Sequence, residues 1–248
     1  MLERAPAATC LAIEGLTKRF GGFYALNDLQ FEVATDDIHA LIGPNGAGKT
    51  TFFNLVTGVL SADSGEIWLE GVPMRDARAS KRTLKGIART FQIPKPYRQL
   101  SVIENVMLSA FLREKSLAGA QKLAEAALAD VGLADYSGTP ASSLTVGLLK
   151  RLEVARALAM WPKLVLFDEI MAGLTPTEVG AMTKFVAGLP ARGITVIWVE
   201  HVLYAIMKTA TRMIVINRGK LIAEGTPAVL ARHPAVVKAY LGEEMDLA

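Results

Sequence analysis

The sequence predicts an α/β fold in which a phosphate-binding core is interrupted by a helical insert, and three observations carry that reading. Residues 37–60 read as a strand, a glycine-rich loop and a helix in succession. Strand-length apolar runs bounded by charges recur at residues 164–167 and 194–199, the pattern of a sheet buried on both faces. Between about 93 and 162 the chain turns rich in alanine, leucine and charge at helical spacing.

Taken in order, residues 9–15, 29–34 and 37–42 read as short strands separated by the turn signals Gly21-Gly22 and Asp36-Asp37. The third runs straight into the glycine loop. From 49 to 60 the spacing of Phe52, Phe53, Val56 and Leu60 predicts a helix, and Ala62-Asp63-Ser64-Gly65 turns the chain into a strand at 66–70. Pro94 and Pro96 open the insert and Pro162 closes it, while Ser101 and Glu104 fit a capping box at a helix start. Strands and helices alternate again from Lys163. Thr175 and Glu178 form a second capping box, and Asn217-Arg218-Gly219-Lys220 reads as a hairpin turn. Internal repeats, low-complexity tracts and sustained heptads are absent from the sequence. The expected organisation is a single domain, 1–248, with 1–92 and 163–248 forming the core and 93–162 the helical insert.

Composition narrows the function. With 248 residues, 51% of them hydrophobic, the chain is long enough to bury a large core. Its mean hydropathy of +0.31 is high, yet no apolar run reaches the ~18 residues of a membrane span. The first eight residues carry Glu3 and Arg4 and lack the apolar run of a secretory signal, so a cytoplasmic location is expected. Cys10, the one cysteine, cannot form an intrachain disulfide and reads as a buried structural residue. The net charge of +3, from 27 basic and 24 acidic residues, is spread without a basic stripe, which argues against a nucleic-acid partner.

Gly43-Pro44-Asn45-Gly46-Ala47-Gly48-Lys49-Thr50 fits G-x-x-x-x-G-K-[ST] between a predicted strand and a predicted helix, the context that separates a P-loop from an ordinary glycine-rich turn. Its glycines let backbone N–H groups close on the phosphates of ATP, and the helix N-terminus adds positive charge. Lys49 is expected to reach the β- and γ-phosphates, the Thr50 hydroxyl to ligate Mg²⁺, and Thr51 to contact the α-phosphate. Asp168 and Glu169 follow an apolar strand, where ligands bind in parallel sheets. Neighbouring strand residues point opposite ways, so Asp168 can hold Mg²⁺ while Glu169 polarises the attacking water. His201 ends a further apolar strand and is a candidate γ-phosphate sensor, whereas His39 and His233 read as structural. Gln92 opens the insert, from where its side chain can reach both metal and linker.

In order and spacing, Phe20, the P-loop, Gln92, residues 144–148, Asp168-Glu169 and His201 resemble the nucleotide-binding subunits of ABC transporters. The resemblance covers nearly the whole chain. It implies a RecA-like P-loop core with an N-terminal antiparallel β subdomain, Phe20 stacked on adenine, Gln92 as the glutamine of the linker loop, Glu169 as the catalytic carboxylate and His201 as the switch histidine. It also implies that two subunits sandwich two ATP molecules head to tail, each site joining one P-loop to the other subunit's signature. The usual Leu-Ser-Gly-Gly-Gln signature is here Leu144-Thr145-Val146-Gly147-Leu148: Thr145 keeps a hydroxyl for the γ-phosphate, Gly147 keeps a close backbone approach, and Leu148 lacks the amide. Residues 168–176 and the tail through 239–243 look like the ATPases of branched-chain amino acid importers, with Thr175 where asparagine is usual. That likeness implies two membrane permease subunits, a second and different ATPase subunit, a periplasmic binding protein, and a place on the cytoplasmic face of the inner membrane. Export of lipopolysaccharide or another substrate, and a soluble ABC ATPase outside transport, are the alternatives.

Overall fold

The computed structural model describes residues 8–236, so the sequence readings at 1–7 and 239–243 lie outside the described residues. The chain opens with a hairpin of β1 (Thr9–Phe20) and β2 (Phe23–Ala34), passes through β3 (Ile38–Ile42) and α1 (Lys49–Val56), then returns with β4 (Ser64–Leu69) and β5 (Val72–Pro73). β1, β2, β4 and β5 make a four-stranded antiparallel sheet in the order β2-β1-β4-β5. The first strand runs on past Gly15, where the sequence suggested an end. Gly15 takes a φ of +59°, and the register of β1 shifts against both neighbours there. A bulge of this kind keeps the strand going while bending it. The strand opposite must yield space, for a Cβ on Gly65 would lie 2.4 Å from the Gly15 carbonyl oxygen.

From β5 the chain continues through α2 (Ala79–Leu84) to β6 (Ile87–Arg89), then through α3 (Val102–Ala110), α4 (Leu117–Asp130) and α5 (Val146–Leu158). It re-enters the sheet with β7 (Leu164–Asp168), α6 (Pro176–Ala187), β8 (Thr195–Val199), α7 (Leu203–Thr209), β9 (Arg212–Asn217), β10 (Lys220–Gly225) and α8 (Pro227–Leu230). The second sheet has the order β10-β9-β3-β8-β7-β6. Its neighbours are parallel except for β10, which turns back on β9 through Arg218 and Gly219, both at positive φ as a tight hairpin turn requires.

Every residue of β3, β7 and β8 is buried, and alternation along these strands divides the core in two. Val165, Phe167, Val196 and Trp198 pack toward the helices, against Val106, Leu152 and Leu158. Leu164, Leu166, Ile197 and Val199 face the other way, against Phe52, Phe53 and the antiparallel sheet. The six-stranded sheet is thus a middle layer.

Helix α1 stops at Val56, one turn short of the periodicity that pointed to Leu60. Buried Arg82 donates to the carbonyls of Leu55 (2.6 Å) and Val56 (3.0 Å), taking the groups a further turn would use. Gly58 follows at φ +75°. Both predicted capping boxes form: Ser101 and Glu104 at the start of α3, Thr175 and Glu178 at the start of α6. The Thr175 amide and hydroxyl hold the Glu178 carboxyl below the usual glutamate range, with Arg151 adding to the effect.

Replacing Arg82 by Met should cost about 2–4 kcal/mol, since it strips donors from buried carbonyls; denaturant unfolding with less than ~0.5 kcal/mol lost would contradict the capping role. Glu178→Gln tests the second device. The folded-state pKa of Glu178 is depressed, so its stabilisation is present above the ordinary glutamate value of 4.5 and vanishes as pH falls through the lower folded value. Thermal melts should show wild type above Glu178→Gln at pH 7 and the gap narrowing as pH falls below the ordinary glutamate value of 4.5.

Candidate functional site

Four parallel strands deliver their following residues to one edge of the middle sheet. β3 leads into the glycine loop, β6 toward Gln92, β7 to Asp168 and Glu169, and β8 to Glu200 and His201. Ligands bind at this edge in open parallel sheets.

The glycine loop is wedged in place. A Cβ on Gly43 would lie 2.1 Å from the Ile216 carbonyl oxygen, and one on Gly48 would lie 2.5 Å from that of Ala25. Gly48 also takes a φ of +108°, as the residue immediately before α1. The Gly219 amide donates to Ala47 at 3.0 Å, tying the loop to the β9–β10 turn. Gly46, at φ +76°, faces open space instead, on the side where phosphates would enter. The Lys49 ammonium reaches back to the carbonyls of Gly43 and Pro44. An open pocket lies over this loop, with Asn45 through Thr51 on its floor and Gln92 and Glu169 on one wall. Phe20 and Phe23 line it opposite each other across the first hairpin.

Glu169 joins three of the expected residues. Its Oε2 accepts from Gln92 Nε2 at 2.6 Å, and its Oε1 lies 3.1 Å from His201 Nε2. Its backbone takes a φ of +49°, sparsely populated for a glutamate. Asp168 lies behind, buried, with Oδ2 accepting from Arg89 Nη2 at 2.8 Å. Arg89 is itself held by the Asn54 side-chain oxygen and sits over the rings of Phe53 and Phe91. One Asp168 oxygen is therefore committed to an ion pair.

Two buried titratable side chains hold main chain around this site. Lys150, from α5, donates through Nζ to the carbonyls of Gln92 and, at 2.9 Å, of Glu169. Burial pulls its pKa down, against the pull of Glu169, Glu200 and Asp168 in the other direction. Glu200 accepts from the amides of Met171 (2.7 Å) and His201 (3.2 Å), and burial pushes its pKa up.

Thr145 and Gly147 stand apart from the pocket. Thr145 caps α5, accepting from the Leu148 amide, and Gly147 packs against Leu174 and Glu178. Sequence reasoning passed over Arg89, Lys150 and Glu200. Glu200, a charge between a five-residue buried strand and His201, carried a legible signal; Lys150, inside a helix with charged residues around its circumference, carried none.

The family profile described as ABC transporter matches residues 26–172. The chain belongs to the ABC transporter family. A second profile, of the branched-chain amino acid ATP-binding cassette transporters, matches residues 220–246. The chain is 34% identical to the high-affinity branched-chain amino acid transport ATP-binding protein BraF of Pseudomonas aeruginosa, covering 94% of this chain and 98% of the relative. It is 35% identical to LivG of Escherichia coli, of the same description, with the same coverage. Among solved structures, it resembles a nucleotide-free ATP-binding cassette of an ABC transporter (30% identity, TM-score 0.84, 94% of this chain and 98% of that one). It also resembles an ADP-conformation cassette (30% identity, TM-score 0.83, 94% and 99%). As an ABC ATPase, the chain binds and hydrolyses ATP.

Gly48→Ala should weaken ATP binding at least ~10-fold, because strain at φ +108° and a clash with Ala25 both displace the loop. Titration with a fluorescent ATP analogue measures this, and wild-type affinity would refute the wedge.

Proposed function

We propose that this chain is the ATP-hydrolysing subunit of an importer for branched-chain or related amino acids. It would pair head to tail with a second, different ATPase subunit beneath two membrane permease subunits, on the cytoplasmic face of the inner membrane. A periplasmic binding protein would deliver substrate to the far side. The observation that carries the catalytic part is the Glu169 carboxylate, held between Gln92 and His201 at the wall of the P-loop pocket.

The loop amides and the N-terminus of α1 bind the phosphate chain, and Phe20 stacks on the base. Lys49 turns from the Gly43 and Pro44 carbonyls to the terminal phosphates, exchanging neutral acceptors for charged ones. Glu169 orients and polarises the attacking water, and His201 donates to the γ-phosphate. Each Glu169 oxygen has one partner, Gln92 or His201, and keeps a lone-pair site for water. The Gln92 bond links the linker loop to the chemistry.

Among the described residues no three or more His, Cys, Asp or Glu gather into a cage. The donors present, the Thr50 hydroxyl, the remaining Asp168 oxygen and Gln92, suit a hard cation that takes most of its ligands from phosphate and water. Mg²⁺ held there would neutralise charge on the β- and γ-phosphates.

No described helix is long and apolar enough to cross a membrane, so coupling must run through the surface. Phe91, Ile93 and Tyr97 after β6, and Leu108, Phe111 and Leu112 on and just after α3, are exposed apolar residues suited to contact with a permease loop. Thr145, exposed and outside the pocket of its own chain, suits the sandwich, in which it faces the second subunit's ATP, whereas Gly147 is buried against Leu174 and Glu178. The substrate class rests on the relatives named above and on the match at residues 220–246.

Glu169→Gln should lower turnover at least ~100-fold while ATP affinity stays within about threefold, as expected of a water-activating group. Phosphate release and nucleotide titration on the same preparation decide it, and wild-type turnover would sink the assignment.

A further inference from the structure

The reading above makes Glu169 the catalytic carboxylate, and on that basis the structure poses a further question: what holds its backbone at φ +49°? The loop itself supplies one bond, a 3.3 Å contact from the Ala172 amide to the Glu169 carbonyl; the Glu169 amide goes across to the Val199 carbonyl, and the shorter bond to the Glu169 carbonyl, at 2.9 Å, comes from Lys150 on α5. We propose that Lys150 is a positioning residue for catalysis, gripping the carbonyls of Glu169 and Gln92 at once so that the two side chains meet. Glu200 completes the hold from the other side through the Met171 and His201 amides. Gln92, Glu169 and His201, whose side chains meet, are therefore braced through their main chains by two buried residues, Lys150 and Glu200.

Lys150 is only 4% exposed, yet no carboxylate lies within ion-pair distance of it among the described residues. A buried ammonium is costly, and an apolar side chain of similar length would fill the same space more favourably. The two carbonyls are what the amine satisfies there. Position adds a consequence. Lys150 lies five residues after Thr145, the cap of α5, a rise of about 7 Å along the helix. A helix whose N-terminus engages the second subunit's ATP carries, one and a half turns on, the group that sets Glu169. Engagement at one site is thereby transmitted to the geometry of the other.

The test uses the intact chain with three variants, Lys150→Met, Lys150→Gln and Glu169→Gln, each measured for phosphate release at saturating ATP, affinity for a fluorescent ATP analogue and thermal midpoint. Lys150→Met keeps length and apolar packing but removes both donors; it should lose about 10–100-fold in kcat with ATP affinity within about threefold. Lys150→Gln retains an N–H for a carbonyl and should recover to within about fivefold of wild type. A purely structural lysine predicts something else: turnover and ATP affinity falling together with the folded fraction, in both variants alike. That result, or a kcat within about twofold of wild type in Lys150→Met, overturns the proposal. If Lys150→Met does not fold, Lys150→Gln, which keeps one of the two grips, decides alone: kcat about two- to fivefold below wild type with affinity retained supports the proposal, and kcat within about twofold of wild type, or reduced in step with affinity, overturns it. Glu169→Gln separates the two layers, for wild-type turnover in that variant refutes the catalytic reading, whereas its inactivity beside an active Lys150→Met refutes only the grip.

Discussion

Complete burial of β3, β7 and β8 is the constraint on which the rest of the structure depends. A strand covered on both faces favours polar groups at its ends, because a polar side chain in the middle is stranded without water, as the buried imidazole of His39 in β3 is. In a parallel sheet the equivalent ends lie together. The glycine loop, Asp168-Glu169 and Glu200-His201 are thus gathered by the same packing that excludes them from the strands.

Gathering is not alignment, and the alignment comes from hydrogen bonds to main chain. The phosphate loop is set by contact: Ile216 and Ala25 leave no room for side chains at Gly43 and Gly48, so the loop has one path. The Glu169 segment is set by charge, with Lys150 on one carbonyl and Glu200 on amides beyond it. Each device suits its task. A loop that must wrap an anion needs bare backbone, whereas a carboxylate that must meet two partners needs its backbone fixed so that the side chain can act.

The split between sheet, helices and loop also distributes the work of an ABC ATPase. Residues that would touch one nucleotide line a single pocket, while Thr145 and Gly147 lie at the start of α5, away from it. Between them runs Lys150, the direct side-chain link from α5 to both Gln92 and Glu169 among the described residues. The linker loop beyond Gln92 exposes Ile93 and Tyr97, and a movement there reaches Glu169 through the Gln92 amide and through Lys150.

By itself the sequence determined the element types, the glycine loop between a strand and a helix, and the carboxylate pair at a strand end, because these rest on local rules: alternation, helical spacing, caps and turn glycines. Both capping boxes and the hairpin at Arg218-Gly219 were legible for that reason. The bulge at Gly15 and the early end of α1 were not, since the first is imposed by a strand 50 residues away and the second by Arg82. Only the tertiary structure decided that Glu169 meets Gln92 and His201, and that Arg89, Lys150 and Glu200 stand behind them. Those contacts join residues from different strands and helices, and their partners are largely backbone atoms, which every residue possesses and no side-chain pattern records.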